Sequence, residues 1–67
     1  MWIARDKNEE LYVYFSEKPV KIIEEGYWKV NNGDFDTLLG HNIFKDIIDL
    51  NKILWEDKEP TEIILKK

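Results

Sequence analysis

The first fifteen residues alternate between apolar and polar side chains, with one polar break at positions 8–10. A period of two residues is typical of a β-strand, in which successive side chains point to opposite faces. Positions 2–7 therefore indicate one strand, and positions 11–15 (LYVYF), which are rich in aromatic and branched side chains, indicate a second. Asn8 in the break tolerates the left-handed backbone that tight turns require. The pattern predicts a β-hairpin over residues 2–15.

Shorter strands are expected further along the chain. Lys18 and Pro19 belong to a turn, because proline cannot donate a ladder hydrogen bond and favours an extended residue before it. Positions 20–30 predict a third strand, or two short strands separated at Gly26. The sequence NNGD at 31–34 is a strong turn signal. A last strand is expected at 62–67, with Ile63 on its buried face.

Between positions 35 and 54 the apolar period lengthens to three and four residues, which is the period of an amphipathic helix. We expect this helix at about 43–52, with Asn42 as its N-cap. Its apolar face would pack on the sheet through Ile43, Phe44, Ile47 and Ile48. The predicted fold class is α+β: one small β-rich domain over 1–67, with four or five antiparallel strands and one short helix.

The length and composition limit how such a domain is stabilised. A chain of 67 residues has a marginal core and usually needs a disulfide, a metal or a partner subunit. The absence of cysteine excludes disulfides and thiolate zinc sites, and the single histidine does not provide a histidine-based metal site. Three tryptophans are many for so short a chain, and tryptophan is a favoured anchor of interfaces. These observations predict a homo-oligomer, most simply a dimer.

The charge and the hydropathy pattern exclude other classes of partner. A net charge of −4 argues against a broad surface for long nucleic acids, which requires a basic patch. No apolar run approaches the roughly 20 residues of a membrane span, so no membrane association is expected. The first residues are strand-like and lack the basic and apolar regions of a signal peptide. We therefore expect a cytoplasmic protein.

The sequence contains no motif that points to catalysis. It lacks a glycine-rich phosphate loop and a nucleophile motif. We interpret His41 as a surface or capping residue rather than a general base, because no partner for it is evident. The carboxylates at 34–36 and 56–59 lack the ordered spacing of a calcium loop and are interpreted as solvated loop charges. No enzymatic activity, cofactor or metal is expected.

Aromatic and basic residues coincide in the predicted N-terminal sheet. Aromatic rings stack on nucleobases, and guanidinium or ammonium groups pair with phosphate. A small nucleotide could be held this way without making the whole protein basic. The alternative interpretation is that the aromatic residues form the core and the basic residues surround it. The candidate ligand-binding residues are Arg5, Lys7, Tyr12, Tyr14, Lys18 and Trp28.

Arg5 is the sole arginine, and it lies on a strand that otherwise looks buried. A permanent charge in such a place needs a partner. One interpretation is a salt bridge to a carboxylate on a neighbouring strand, from Glu10, Glu17 or Glu62. The other is that its planar guanidinium binds an anion beside a stacking wall from Tyr12, Tyr14 or Trp28, a role that suits arginine better than lysine.

Three stretches of the chain resemble a group of short, uncharacterised proteins of phages, prophages and bacterial genomes. The I-A-R-D start at 3–6, the K-P at 18–19 and the W-E-D-x-x-P-x-E-I-x-L ending at 55–65 carry the resemblance. The middle differs, since that group commonly has a short segment ending in L-F-P where this chain has IFKDIIDLNKIL. Phages encode very small proteins that block host defence, so the resemblance implies a protein of the host cytoplasm with such a role.

Three functional hypotheses follow. The first is a non-enzymatic anti-defence protein that sequesters a nucleotide immune signal in a pocket at an oligomer interface. The second is a protein–protein inhibitor or adaptor that binds a host protein through an aromatic patch or a sheet edge. The third is a structural or morphogenetic accessory. The fold by itself does not decide among them.

Overall fold

A computed structural model describes residues 1–38 and 49–64 of the chain. Within these residues the chain forms six short β-strands and one turn of 3-10 helix at Leu50–Lys52. The strands are β1 (Trp2–Arg5), β2 (Leu11–Tyr14), β3 (Val20–Ile22), β4 (Tyr27–Lys29), β5 (Phe35–Thr37) and β6 (Thr61–Glu62). The predicted β-rich character is confirmed.

The strands form two antiparallel sheets. The larger sheet has the strand order β5-β2-β1-β6, and the smaller one is the β3–β4 hairpin. The predicted hairpin of β1 and β2 is present, with Trp2 opposite Tyr14 and Arg5 opposite Leu11. Of the two possibilities that the sequence left open for 20–30, the structure has two short strands with a turn between them.

Strands β1 and β2 carry apolar side chains on both faces of the larger sheet, and each face is covered by other parts of the chain. On one face Ile3 and Val13 pack with three residues from the rest of the chain, Leu38, Ile53 and Ile63. On the other face Ala4 and Tyr14 pack against Trp28 of β4. The sheet is therefore the middle layer, with the β3–β4 hairpin on one side.

The hairpin of β3 and β4 is attached to the end of β1 by three hydrogen bonds. The backbone N–H of Trp28 donates to Asp6 Oδ1 at 3.1 Å, and its indole Nε1 donates to the carbonyl of Arg5 at 3.0 Å. The N–H of Lys7 donates to the carbonyl of Gly26 at 3.0 Å. Gly26 has a φ of +79°, a left-handed conformation that glycine adopts without steric cost.

The turn between β1 and β2 differs from the expectation. The left-handed residue is Glu9, with a φ of +74°, and not Asn8. Asn8 instead accepts the N–H of Glu10 on its Oδ1 at 3.0 Å. Such a side-chain bond two residues along the chain is a local turn interaction that asparagine commonly makes.

The prediction of a helix over 43–52 is wrong for residues 49–52, which the structure describes and which are not α-helical. Asp49 is extended and caps the 3-10 turn with its side chain, which accepts the N–H of Asn51 at 3.0 Å. Aspartate side chains compete in this way with helical backbone bonds. No α-helix occurs in the described residues. Positions 43–48, including the predicted sheet contacts, lie outside them.

Within these residues, no helix has the length and apolar character needed to cross a membrane.

Candidate functional site

The guanidinium of Arg5 is held by three backbone carbonyls, one from the adjacent turn and two from residues more than forty positions away. Nε donates to the carbonyl of Ile53 at 2.6 Å and Nη2 to that of Leu50 at 3.1 Å. Nη1 donates to the carbonyl of Glu9 at 2.7 Å. Since a guanidinium carries five N–H groups, two remain for another acceptor. Arg5 thus joins the end of β1 to the 3-10 turn in a fixed orientation.

Two of the three carboxylates suggested as partners of Arg5, Glu10 and Glu17, have other contacts. Glu10 accepts the hydroxyl of Tyr12 at 2.9 Å. Glu17 accepts the backbone N–H groups of Asn31 and Asn32 at 2.9 and 3.3 Å. Arg5 therefore binds carbonyl groups where the sequence suggested a carboxylate.

Arg5 also lines an open cleft of about 470 Å³, a size that falls within the range of small-molecule sites. The lining contains two basic, two acidic and one amide side chain together with a leucine and a tryptophan: Arg5, Lys7, Glu9, Asn51, Leu54, Trp55 and Glu56. Its formal charges cancel. The cleft therefore suits a ligand that carries an anionic group together with groups that donate hydrogen bonds.

Trp55 forms the aromatic part of this cleft. Its ring meets the ring of Trp28 edge to face, with 6.5 Å between centroids and an interplanar angle of 84°. The ammonium of Lys21 lies 4.4 Å from the centroid of Trp55 and 5.4 Å from that of Trp28. Both contacts are favourable for an electron-rich ring, and they hold Trp55 in position.

Two of the six candidate ligand-binding residues, Arg5 and Lys7, lie together in the cleft. The structure places the other four elsewhere. Tyr14 and Trp28 are buried on the face of the sheet that the β3–β4 hairpin covers. Tyr12 contacts the ring of Phe35, and Lys18 pairs with Glu59 at 2.8 Å.

Sequence reasoning missed Trp55, Asn51 and Glu56 as parts of this cleft. They lie some fifty positions from Arg5, and no periodicity connects the two regions. Trp55 belongs to the tryptophan-led ending that carries the resemblance, and that was the available signal. Its role beside Arg5 depends on how the chain returns to the end of β1.

Asp6, Tyr12 and Tyr14 have shifted pKa values, and all three lie on the side of the larger sheet that faces the β3–β4 hairpin, opposite to Arg5. Burial raises the pKa of Asp6, and the N–H of Trp28 partly offsets this by stabilising the carboxylate. Burial likewise raises the pKa of Tyr14. The hydrogen bond to Glu10 is the main cause of a raised pKa at Tyr12. The shifts of Asp6 and Tyr14 therefore reflect burial between the layers, that of Tyr12 reflects its bond to Glu10, and none of the three residues lines the cleft.

Nowhere in residues 1–38 and 49–64 do three His, Cys, Asp or Glu side chains cluster closely enough to hold a metal ion.

Comparison with known proteins gives no relative from which a function can be transferred, since no family model, curated protein or solved structure matches the chain.

Proposed function

We propose that this protein is a small non-enzymatic binding protein, and that its ligand is an anionic molecule with an aromatic ring, such as a nucleotide. The observation that carries the proposal is that Arg5 and Lys7 line the same cleft as Trp55. A fixed guanidinium, an ammonium and an indole ring are groups that recognise phosphate and base.

The groups that line the cleft would contact different parts of such a ligand. The carbonyls that hold Arg5 keep its guanidinium in place before a ligand arrives, which lowers the entropic cost of binding. Lys7 adds a second positive charge, and Trp55 offers a ring for stacking. Glu9 and Glu56 repel a bare anion but accept hydrogen bonds from amino or hydroxyl groups. Inorganic phosphate should therefore bind less well than a nucleotide.

The biological role proposed here, sequestration of a nucleotide immune signal by a phage-type protein in the host cytoplasm, rests on the resemblance described above. A homo-oligomer stays a prediction as well. The cleft is formed within a single chain, so ligand binding does not require assembly. The sequence had suggested a pocket at an oligomer interface instead.

Calorimetry of the purified protein against cyclic nucleotides and ADP-ribose tests the proposal. We expect at least one nucleotide to bind with a micromolar to submillimolar Kd. Lys7→Ala should weaken that binding about fivefold, the effect of losing one exposed charge contact of roughly 1 kcal/mol. The matched control is Lys58→Ala, which removes the same charge from an exposed residue outside the cleft lining.

Binding weaker than millimolar for every nucleotide would contradict the proposal. An equal loss of affinity in Lys7→Ala and Lys58→Ala would also contradict it, because the effect would then reflect net charge and not the cleft.

A second candidate function, a protein inhibitor or adaptor, is favoured by Phe35. This residue of β5 is 57% exposed, and its ring lies 6.1 and 5.8 Å from the rings of Tyr12 and Tyr14. An exposed aromatic side chain supported by two others is a typical anchor for a protein partner. Phe35→Ser should then abolish co-purification of a host protein while nucleotide binding is unchanged.

The edge of β5 is less suited to adding a strand from a partner. Phe15 N–H donates to the carbonyl of Asp34 at 3.0 Å, so in the alternating antiparallel pattern the backbone groups of Thr37 point away from β2. That outward N–H donates to Asp36 Oδ1 at 2.7 Å. A side chain that occupies an edge donor protects the edge from further pairing. A protein partner is therefore expected at the Phe35 side chain.

A further inference from the structure

One side of the β3–β4 hairpin is apolar and faces away from the rest of the described structure. Trp28 is buried against the larger sheet, so its strand neighbours Tyr27 and Lys29 face outward. Their cross-strand partners, Ile22 and Val20, face the same way. We name these four side chains, Val20, Ile22, Tyr27 and Lys29, the hairpin face.

Three residues of the hairpin face, Val20, Tyr27 and Lys29, are exposed, and Ile22 is half-buried. Val20 is 63% exposed, and Ile23, which follows in the turn, is 74% exposed. An exposed apolar patch with a polar border is typical of an interaction surface.

Apart from Lys21, which lies on the other side of the hairpin against Trp28 and Trp55, the charges of the hairpin lie at opposite ends. Lys29 pairs with Val20 at the open end, whereas Glu24 and Glu25 lie in the turn, and all three charged residues are exposed. A two-fold axis that lies in the plane of the contact, perpendicular to the strands and at the centre of the hairpin face, would reverse one copy relative to the other. Each Lys29 would then lie over the acidic turn of the other copy, with the apolar centres in contact. The surface is thus complementary to itself, as a two-fold interface requires.

We propose that the hairpin face is the contact surface of a homodimer. The four residues of the hairpin face together with Ile23, Glu24 and Glu25 make seven from each copy. This is fewer than the roughly 20–30 of a standard interface, so association should be weak, with a Kd in the micromolar range or above. The dimer and the ligand cleft are separate claims, because no residue of the hairpin face lines the cleft.

Charge exchange between two variants tests this arrangement. Lys29→Glu places like charges at both ends of the dimer, and so does the double variant Glu24→Lys with Glu25→Lys. Each alone should associate at least about tenfold more weakly than the wild type. An equimolar mixture of the two should form a heterodimer, because opposite charges then meet at both ends. Sedimentation from micromolar to millimolar concentration measures all of these samples.

The apolar centre of the interface has its own matched test. Val20→Asn should abolish association, whereas Ile64→Asn, at another highly exposed aliphatic residue outside the hairpin face, should leave it unchanged. Circular dichroism of each variant checks that the fold is kept.

A wild-type mass of 8.1 kDa throughout the concentration range would overturn the proposal. So would a dimer that forms equally well in Lys29→Glu, or a mixture of the charge variants that associates no better than its components.

Discussion

At the scale of single residues, Arg5 has a structural contact that its sequence position does not reveal. The alternation around Arg5 predicted that its charge needs a partner, and the structure provides three carbonyl acceptors. The three carbonyls that bind it come from the adjacent turn and from residues more than forty positions away. The choice of acceptor depends on tertiary structure, so sequence alone suggested carboxylates.

Replacing Arg5 should therefore affect stability as well as binding. Arg5→Met keeps much of the side-chain volume but leaves three carbonyls without their donor. We expect the free energy of unfolding to fall by about 2–4 kcal/mol, since a hydrogen bond to a charged group contributes roughly 1.5–3 kcal/mol and such terms do not add fully. Urea denaturation measures this loss. Lys58→Met is the matched control, and a loss below about 0.5 kcal/mol in Arg5→Met would show that these bonds contribute little.

Asp6 offers a second prediction at this scale, because its carboxylate is buried and accepts the N–H of Trp28. Asp6→Ala removes the acceptor and should lower stability by about 1–3 kcal/mol. Asp6→Asn keeps an oxygen at that place and should cost less. Denaturation of both variants beside the wild type measures the two losses. Equal losses would mean that the hydrogen bond to Trp28 has no part in the effect.

The pH dependence of Asp6 has a definite sign. Burial raises its pKa in the folded state above the ordinary value of 3.8, so the folded protein holds this proton more tightly than the unfolded chain does. Ionising Asp6 therefore costs more free energy in the folded protein than in the unfolded chain. This cost is fully present above the folded-state pKa and is relieved as the pH falls through that pKa towards 3.8. Relative to Asp6→Asn, the wild type should gain stability on acidification. A difference independent of pH would contradict the raised pKa.

At the scale of elements, local patterns predicted the strands that have a buried face. The β1–β2 hairpin and the turn at 31–34 are visible in the sequence because their signals are local. Strand β5 was missed, since its three residues are all exposed and show no apolar alternation. The helical period at 43–52 was misleading near its end, where Asp49 caps a 3-10 turn and Arg5 binds the carbonyls of Leu50 and Ile53.

The connection between β4 and β5 depends on a close approach at Gly33. A Cβ added there would lie 2.9 Å from Glu17 Cβ and 3.3 Å from the Glu17 backbone nitrogen. Glu17 is itself fixed by its bonds to Asn31 and Asn32. Gly33→Ala should therefore lower stability by about 1–3 kcal/mol through overcrowding. Asn32→Ala, which keeps its backbone donor, is the control, and equal thermal shifts in the two variants would contradict this reason.

At the scale of the whole molecule, the fold brings together residues that the sequence keeps far apart. The alternating pattern predicted the N-terminal hairpin, and the structure covers both faces of its strands. It did not indicate that the return of the chain through the 3-10 turn would place Trp55 and Asn51 in the same cleft as Arg5 and Lys7. The two basic residues of the cleft, Arg5 and Lys7, could be predicted from the sequence, whereas its aromatic residue, Trp55, could not.

The central claim is that a nucleotide binds in this cleft, and the three tryptophan indole signals in a nitrogen–proton NMR spectrum test it most directly. Trp55 lines the cleft, Trp28 donates its Nε1–H to the carbonyl of Arg5, and Trp2 lies in β1 outside the cleft lining. We predict that titration with a nucleotide found to bind by calorimetry shifts the Trp55 indole signal strongly and leaves that of Trp2 in place. An unmoved Trp55 signal, with shifts confined to residues around Phe35 or to the hairpin face, would contradict the account.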